Sequence, residues 1–299
     1  MKIFWSLVKR NMKLFFNDKG MFLTSLITPL ILLVLYITFL GNVYKDSLIQ
    51  SFGTIEIPKN ILNSIVGGQL VSSILAVSTV TVAFCSNFLM VQDKALGNIK
   101  DITISPVKTN ILSLSYYIAS LFSTLIICFV ATIFCLGYLA FTGWFLTILD
   151  VVFIFLDVIL LVLFGTILSS IINHFLSSQG QISAVGTVVS SIYGFLCGAY
   201  MPLSTFPEGL QKVLSFLPGT YGTSLLRTHA MESGLKMLEK ELSKTAISSV
   251  DSARDAFDLN LYFFGIEVSN TAKFLILIGS VVLLIVIYLL LNKFKRKSS

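Results

Sequence analysis

Residues 91–110 read VQDKALGNIKDITISPVKTN and form a short polar island between two long apolar stretches. The island carries five charged residues although only 12% of the chain is charged, so it must lie in water. Leu96, Ile99 and Ile102 recur about every three residues, which predicts a short helix with one apolar side, and a proline then ends it. The pattern favours a helix that docks on a soluble partner. A solvated loop on the lipid headgroups is the alternative.

The composition indicates an integral membrane protein. Apolar residues make up 55% of the 299 residues, the mean hydropathy is +0.89, and several uncharged runs exceed the roughly 20 residues that a helix needs to cross a bilayer. The net charge of +6 arises largely from basic residues at the ends of apolar stretches, where they face lipid headgroups. We therefore expect contact with membrane lipid, no binding of nucleic acid and no sizeable soluble domain.

The chain opens with an amphipathic segment at residues 1–19. Phe4, Val8 and Phe15 fall on one side of a helix, and Lys residues fall on another. Such a helix is expected in the membrane interface, with its apolar side in the acyl region and its basic side chains near phosphates. A secretory signal peptide does not fit, because the basic region is too long and no cleavage site follows.

Six apolar stretches predict six transmembrane helices in an all-α polytopic membrane protein, a single domain over residues 1–299. The stretches lie near residues 21–40, 61–91, 109–140, 149–172, 182–200 and 274–291. A polar loop is expected at residues 41–60. Lys and Arg are concentrated at both ends of the chain and in the island, so the positive-inside rule places both termini and the island in the cytoplasm.

The second and fifth stretches carry small and polar residues on one face. Such a face lets two helix backbones approach closely, or it lines a path through the membrane. The residues expected to form a helix interface or a path are Gln69, Ser72, Thr79, Ser86, Ser190, Gly194 and Gly198.

Asp157 is the one formally charged residue that the prediction places deep in the membrane. An ionisable residue at that depth marks a candidate functional site. The pattern shows no Lys, Arg or His at the same depth, so a protonated carboxyl that hydrogen-bonds a neighbouring helix is the alternative.

Three prolines follow the fifth stretch and bracket an amphipathic helix that is too short to cross a bilayer. A re-entrant hairpin fits, because non-helical backbone at membrane depth must be surrounded by protein or water. The hairpin opens the range 201–270, and its polar remainder, residues 231–270, is expected to be an extracellular segment. The residues assigned to the hairpin are Pro202, Phe206, Pro207, Pro218, Tyr221 and Arg227.

The order of these features resembles the membrane subunit of an ABC-2 type exporter. The matches are Asp93, Gly97 and Ser105-Pro106 in the island, then Pro202, Phe206-Pro207 and Pro218, then Tyr221 with Arg227. Together with the amphipathic N-terminus they cover most of the chain. Residues 231–270 form a longer segment than the shorter family members have.

The resemblance implies a permease that pairs with a second permease subunit, as a homodimer or a heterodimer, and recruits a separate cytoplasmic ATPase. It implies that residues 92–110 form the coupling helix. The candidate ATPase-coupling residues are Asp93, Leu96, Gly97, Ile99, Ile102, Ser105 and Pro106. ATP and Mg²⁺ would be bound by the partner, so no cofactor is expected in this chain. The sequence has no G-x-x-x-x-G-K-[ST], H-E-x-x-H or G-x-S-x-G motif, so we do not expect an enzyme.

The expected function is the export of an amphiphilic drug, peptide, lipid or glycan across the cytoplasmic membrane. An ion-coupled secondary transporter is one alternative, but it needs several intramembrane ionisable groups or repeated halves. A lipid-modifying membrane enzyme is another, and it needs Asp, His or Lys clustered near an interface. The sequence shows neither pattern.

Overall fold

Long helices make up most of the computed structural model, which describes residues 2–52, 57–104, 107–241 and 247–295. The helices are α1 (Lys2–Asn17), α2 (Lys19–Leu35), α3 (Gly41–Phe52), α4 (Lys59–Ala95), α5 (Asn98–Ile104), α6 (Thr109–Thr142), α7 (Ile148–Phe175), α8 (Gln179–Leu196), α9 (Glu208–Leu214), α10 (Pro218–Glu241), α11 (Ile247–Ala256) and α12 (Asn270–Lys295). Strands β1 (Leu261–Phe263) and β2 (Ile266–Val268) pair antiparallel. The two strands have three residues each, so the fold is that of the expected all-α polytopic membrane protein with one small hairpin added.

Within the described residues, five helical segments are long and apolar enough to cross a membrane, so the chain is a multi-pass membrane protein. They are Lys19–Gln50, Lys59–Ala95, Asn110–Thr142, Ile148–Phe175 and Asn270–Lys293. The expected fifth of six spans corresponds to α8, which is not one of these five. It has only 18 residues, and Gln, Ser, Thr and Gly make up about half of them.

Helix α4 is the central helix of the molecule. The most apolar stretch of α4 is completely buried. In the first segment, Lys19–Gln50, only 22% of the corresponding stretch is buried, and in α12 only 17% is buried. Helices α2, α6, α7, α8 and α10 surround α4. Inside this shell, Ser72, Thr79 and Ser86 donate hydrogen bonds to carbonyl groups three residues earlier in α4. The buried hydroxyls are thereby satisfied within the helix itself.

Glycines bring α4 close to two of its neighbours. A methyl group at Gly68 would lie 2.5 Å from the carbonyl oxygen of Ala230 on α10. A methyl group at Gly165 on α7 would lie 2.9 Å from the carbonyl oxygen of Thr79. Backbones can approach this closely only where no side chain stands between them.

The first long helix continues beyond its expected end, which corrects the predicted polar loop at residues 41–60. Helix α2 passes through a π-helical turn at Tyr36–Leu40 directly into α3. Leu48 and Phe52, four residues apart, are buried against the core, and Tyr44 on the same face is half-buried. The mixed composition of this segment suggested a loop, but its apolar residues have helical spacing and gain burial by staying helical.

In the described part of the chain, four helices follow α8, of which α9 and α10 come first. A short 3₁₀ turn and α9 lie between the prolines, as the sequence predicts, and α10 then begins at Pro218. One face of the segment that begins at residue 231 is covered by the protein, because Met231, Leu235 and Leu238 are buried while Lys236 is exposed. The buried residues recur at helical spacing, and α10 packs them against the rest of the protein.

The close contact at Gly68 allows a paired test. Replacing Gly68 by Ala should lower the free energy of unfolding by about 1 to 3 kcal/mol, because the nearest atom is a backbone carbonyl and the helices must separate. Gly137→Ala on α6 meets no atom within 4 Å and should be neutral or slightly stabilising. Thermal unfolding of the two variants in one detergent measures the difference, and equal melting temperatures would contradict the proposed contact.

Candidate coupling and transport sites

Asp93 links four helices near one end of α4. Its buried carboxylate accepts hydrogen bonds from Arg10 on α1 (2.7 Å), from the Tyr116 hydroxyl on α6 (2.6 Å) and from the Asn98 amide on α5 (2.9 Å). Partial burial opposes the charge of Arg10, but the hydrogen bond and the charge of Asp93 outweigh it and raise the pKa of the guanidinium. Three donors, one of them charged, hold the carboxylate and the four helices in one arrangement.

The predicted coupling helix at residues 92–110 is divided in the structure. It contains the last turn of α4, then α5 and the first residues of α6. Gly97 has a φ of +82°, a left-handed conformation that side-chain-bearing residues rarely adopt, and it separates α4 from α5. Ser105 and Pro106 lie outside the described residues.

The apolar residues around α5 point in two directions. Ile99 and Ile102 are half-buried and pack on a small apolar cluster formed by α4 and α6. Leu96 and Ile104 are 75% and 84% exposed. The predicted stripe therefore does not form one free face, because the chain itself covers part of it. Among the described residues here, the most exposed apolar side chains are Leu96 and Ile104.

Lys94, next to Asp93, ties α4 to the end of α7. Its ammonium group donates hydrogen bonds to the carbonyl oxygens of Asn173 (3.1 Å), His174 (3.1 Å) and Leu176 (3.2 Å). The last carbonyl groups of a helix lack partners within the helix, and a cation there also complements the helix dipole.

A groove of about 1040 Å³ lies between α2 and α8, with α4 at its base. Apolar side chains from α2, such as Ile31 and Leu35, form one wall. Hydroxyl-bearing residues of α8, such as Ser183 and Ser190, form the other. The groove is thus apolar with a stripe of hydroxyl groups, a lining suited to amphiphilic molecules.

The residues predicted to form a helix interface or a path occupy different places. All four from the second stretch are buried inside the chain: Gln69, Ser72, Thr79 and Ser86. Ser86 lies 3.1 Å from the hydroxyl of Thr124 on α6. On or after α8, Ser190 lines the groove, Gly194 lies against the ring of Tyr200, and Gly198 turns the chain with a φ of +73°.

A buried ion pair holds the segment after α8. Arg227 on α10 donates to the carboxylate of Asp258 (2.7 Å) and to the carbonyl oxygen of Gly198. Asp258 also accepts from the backbone N–H groups of Leu203 (2.6 Å) and Ser204 (3.1 Å). Burial raises the pKa of the Asp258 carboxyl, and the charge of Arg227 limits that rise. One carboxylate therefore joins α10, the 3₁₀ turn and the end of α11.

The other predicted hairpin residues lie around this ion pair. Pro202 and Pro207 precede the 3₁₀ turn and α9, and Pro218 is the first residue of α10. Phe206 and Tyr221 belong to one apolar cluster, and the Tyr221 hydroxyl donates to the carbonyl oxygen of Ser215 (2.6 Å). The prolines set the helix starts because their fixed φ suits the first turn.

Asp157 is not isolated, which corrects the expectation of a carboxylate with no His at its depth. Its Oδ2 atom lies 2.6 Å from Nδ1 of His229 on α10. The imidazole ring stacks on Phe153 at 4.9 Å, and Phe274 of α12 also contacts it. Asp157 is completely buried, so this pair joins α7 and α10 by a polar contact inside an apolar region, and α12 adds an aromatic contact through Phe274.

Sequence reasoning did not identify four residues of these sites. Arg10 and Tyr116 are partners of Asp93, His229 is the partner of Asp157, and Asp258 is the partner of Arg227. An ionisable residue within an otherwise apolar helical stretch signals that a partner exists. That signal was present at Asp157, but the partner can be identified only from the way that distant segments pack together.

Comparison with known proteins gives one family. The family model described as ABC-2 type transporter matches residues 2–230, more than half of the chain. The match includes the Asp93 cluster, the groove and most of the segment around Arg227. Neither the curated proteins nor the solved structures contain a match.

The ion pair after α8 predicts a large difference between two substitutions in one region. Arg227→Met should destabilise the protein by about 3 to 5 kcal/mol, because Asp258 is then a buried charge without its partner. Lys212→Met breaks the exposed pair with Glu208 on α9 and should change stability by less than about 1 kcal/mol. Melting curves of detergent-purified variants measure both, and similar losses would show that burial does not set the strength of the Arg227 pair.

Proposed function

Since the chain belongs to the ABC-2 type transporter family, we propose that it is the permease subunit of an ATP-driven exporter. The family match and the Asp93 cluster support this function together. An exporter of this kind needs a surface that binds a separate ATPase, and a rigid element that transmits the conformational change of the ATPase into the membrane. The chain itself does not hydrolyse ATP, and ATP and Mg²⁺ belong to the partner subunit.

The proposed route begins at α5. Leu96 and Ile104 offer exposed apolar contact to the ATPase, and Asn98 on the same short helix is bonded to Asp93. Movement of α5 therefore acts at once on α4, α1 and α6, which the Asp93 cluster joins. Because α4 is enclosed along its length, it transmits displacement as a rod to the helices packed around it.

We propose six membrane crossings, of which α8 and α10 share the fifth. Gly186 of α8 lies against Phe88, whereas Ala230 of α10 lies against Gly68. Phe88 and Gly68 are 20 positions apart in α4 (88 minus 68), or about 30 Å along its axis. The two helices thus follow opposite halves of α4, and the residues between them form a re-entrant hairpin.

The remaining assignments follow from this topology. Six crossings and the basic termini place both ends of the chain in the cytoplasm, with α1 in the membrane interface. The protein lies in the cytoplasmic membrane and pairs with a second permease, identical or different. The groove between α2 and α8 is the proposed path for an amphiphilic drug, peptide, lipid or glycan.

If Leu96 and Ile104 contact the ATPase, a charge introduced at either position should weaken that contact. Leu96→Asp or Ile104→Asp should leave membrane insertion intact but weaken ATPase recruitment more than tenfold, because each apolar side chain contributes about 1.5 to 3 kcal/mol when buried. Co-purification of the ATP-binding cassette subunit with tagged permease, and its ATP hydrolysis, are the measurements. Asp101→Ala on the exposed side of α5 is the control and should do little. Retained partner and retained export in both Asp variants would show that α5 is only a connector.

The proposed topology predicts opposite labelling at two exposed positions. In a background without the native cysteines, Lys236→Cys on α10 should react with an impermeant thiol reagent added to intact cells. Asp101→Cys on α5 should react only after the cells are opened. Labelling of both, of neither, or in the reverse pattern in intact cells would contradict six crossings with a cytoplasmic α5.

A further inference from the structure

The groove between α2 and α8 has an unusual charge distribution. Among the residues that the structure describes, its lining includes one carboxylate, Asp18, and no Lys, Arg or His. Asp18 lies at the start of α2, and the groove also contains Gln92 and Gln179, which come from the helix ends near Asp93. Lys19 follows Asp18 in sequence but does not line the groove. The formal charge on the described lining is therefore negative and is confined to one end.

An anionic group would find little to bind in this groove. Phosphate and carboxylate groups are held in proteins chiefly by Arg and Lys, or by open helix N-termini. The N-terminus of α2 already has Asp18 as its cap, which accepts from the backbone N–H of Met21 (3.0 Å). The N-terminus of α8 has a reciprocal cap, in which Ser178 and Gln181 accept from each other's backbone N–H groups.

The rest of the groove suits an apolar body. Phe88 and Ile182 are buried at its base, and Ile27, Ile31 and Leu35 of α2 expose about half of their surface toward it and toward lipid. Its volume of about 1040 Å³ is at the upper end of the usual range for small-molecule sites. The hydroxyl groups of α8 can donate to an anion or accept toward a cation, so they do not select the sign of a bound charge.

We propose that this groove binds lipophilic molecules that carry a single positive charge, with the cation at the Asp18 end and the apolar body along α2 and Phe88. The inference rests on the proposed function and narrows its substrate from amphiphiles in general to lipophilic monocations. The physical reason is charge complementarity, since the Asp18 carboxylate attracts a cation and repels an anion beside low-dielectric walls. Lipids and glycans that carry phosphate are disfavoured, because their charge would be desolvated without a partner.

The test compares two probes of similar shape and opposite charge. Purified permease in nanodiscs of zwitterionic lipid is dialysed against tetraphenylphosphonium or tetraphenylborate, and binding to empty nanodiscs is subtracted. We expect saturable binding of the cation and none of the anion. Equal binding of the two ions would overturn the proposal. Absence of saturable cation binding would also overturn it, as expected if a second copy of the chain covers the groove.

Two substitutions locate the interaction. Asp18→Asn removes the charge but keeps a side-chain oxygen that can cap α2, so the fold should persist while the affinity for the cation falls about three- to fivefold. Asp46→Asn, at an exposed position of α3 outside the groove, is the matched control and should have no effect. Unchanged affinity in Asp18→Asn would exclude this carboxylate as the selecting group.

A second pair tests the position of the apolar body. Ser190→Trp fills the groove and should abolish saturable binding of tetraphenylphosphonium, whereas Gly137→Trp on α6 points into open space and should leave it unchanged. Binding that survives Ser190→Trp would place the site elsewhere. The binding assay uses the permease alone, so a negative result would contradict the cation site but not the proposal of ATP-driven export. Conversely, α5 variants that keep their ATPase would contradict the coupling proposal but not the cation site.

Discussion

The structure depends on the complete enclosure of one helix. Helix α4 runs for 37 residues and is covered by protein where it is most apolar, so neither water nor lipid can satisfy polar groups there. Its hydroxyl residues solve this locally, since Ser78 and Thr81 bond to carbonyl groups four residues earlier. Small residues such as Gly68 then let neighbouring backbones approach until dispersion forces hold the bundle together.

Enclosure of α4 also explains why polar contacts between distant segments lie where they do. Asp93 is bonded at one end of α4, while Arg227 and Asp157 are bonded on the helices that pack along its other half. Each of these contacts fixes the relative position of several helices, because a buried charge is costly unless its partner stays in place. In the proposed exporter, the ATPase acts at the Asp93 end and the re-entrant hairpin responds at the other.

The groove between α2 and α8 differs from the enclosed α4 in how much of it is covered by protein. Its walls come from helices that are largely exposed, and only its base, with Cys85 and Phe88, belongs to α4. A molecule bound in the groove would contact α4, α2 and α8 at the same time. Relative movement of α2 and α8 against α4 would therefore change the shape of the proposed path without disturbing the packed core.

Sequence alone determined the class and the family of this protein, because hydropathy, helical periodicity and the order of prolines and charges are local properties. It indicated the amphipathic α1, the short helix between prolines and the membrane-spanning helices, and its resemblance to ABC-2 exporters is confirmed by the family match. Periodicity shows which residues share a face but not what covers that face. The tertiary structure alone decided that Ile99 faces its own chain while Leu96 is free, and that Asp157 meets His229 across 72 residues. These outcomes depend on contacts between segments far apart in the chain, and those contacts form only when the helices pack.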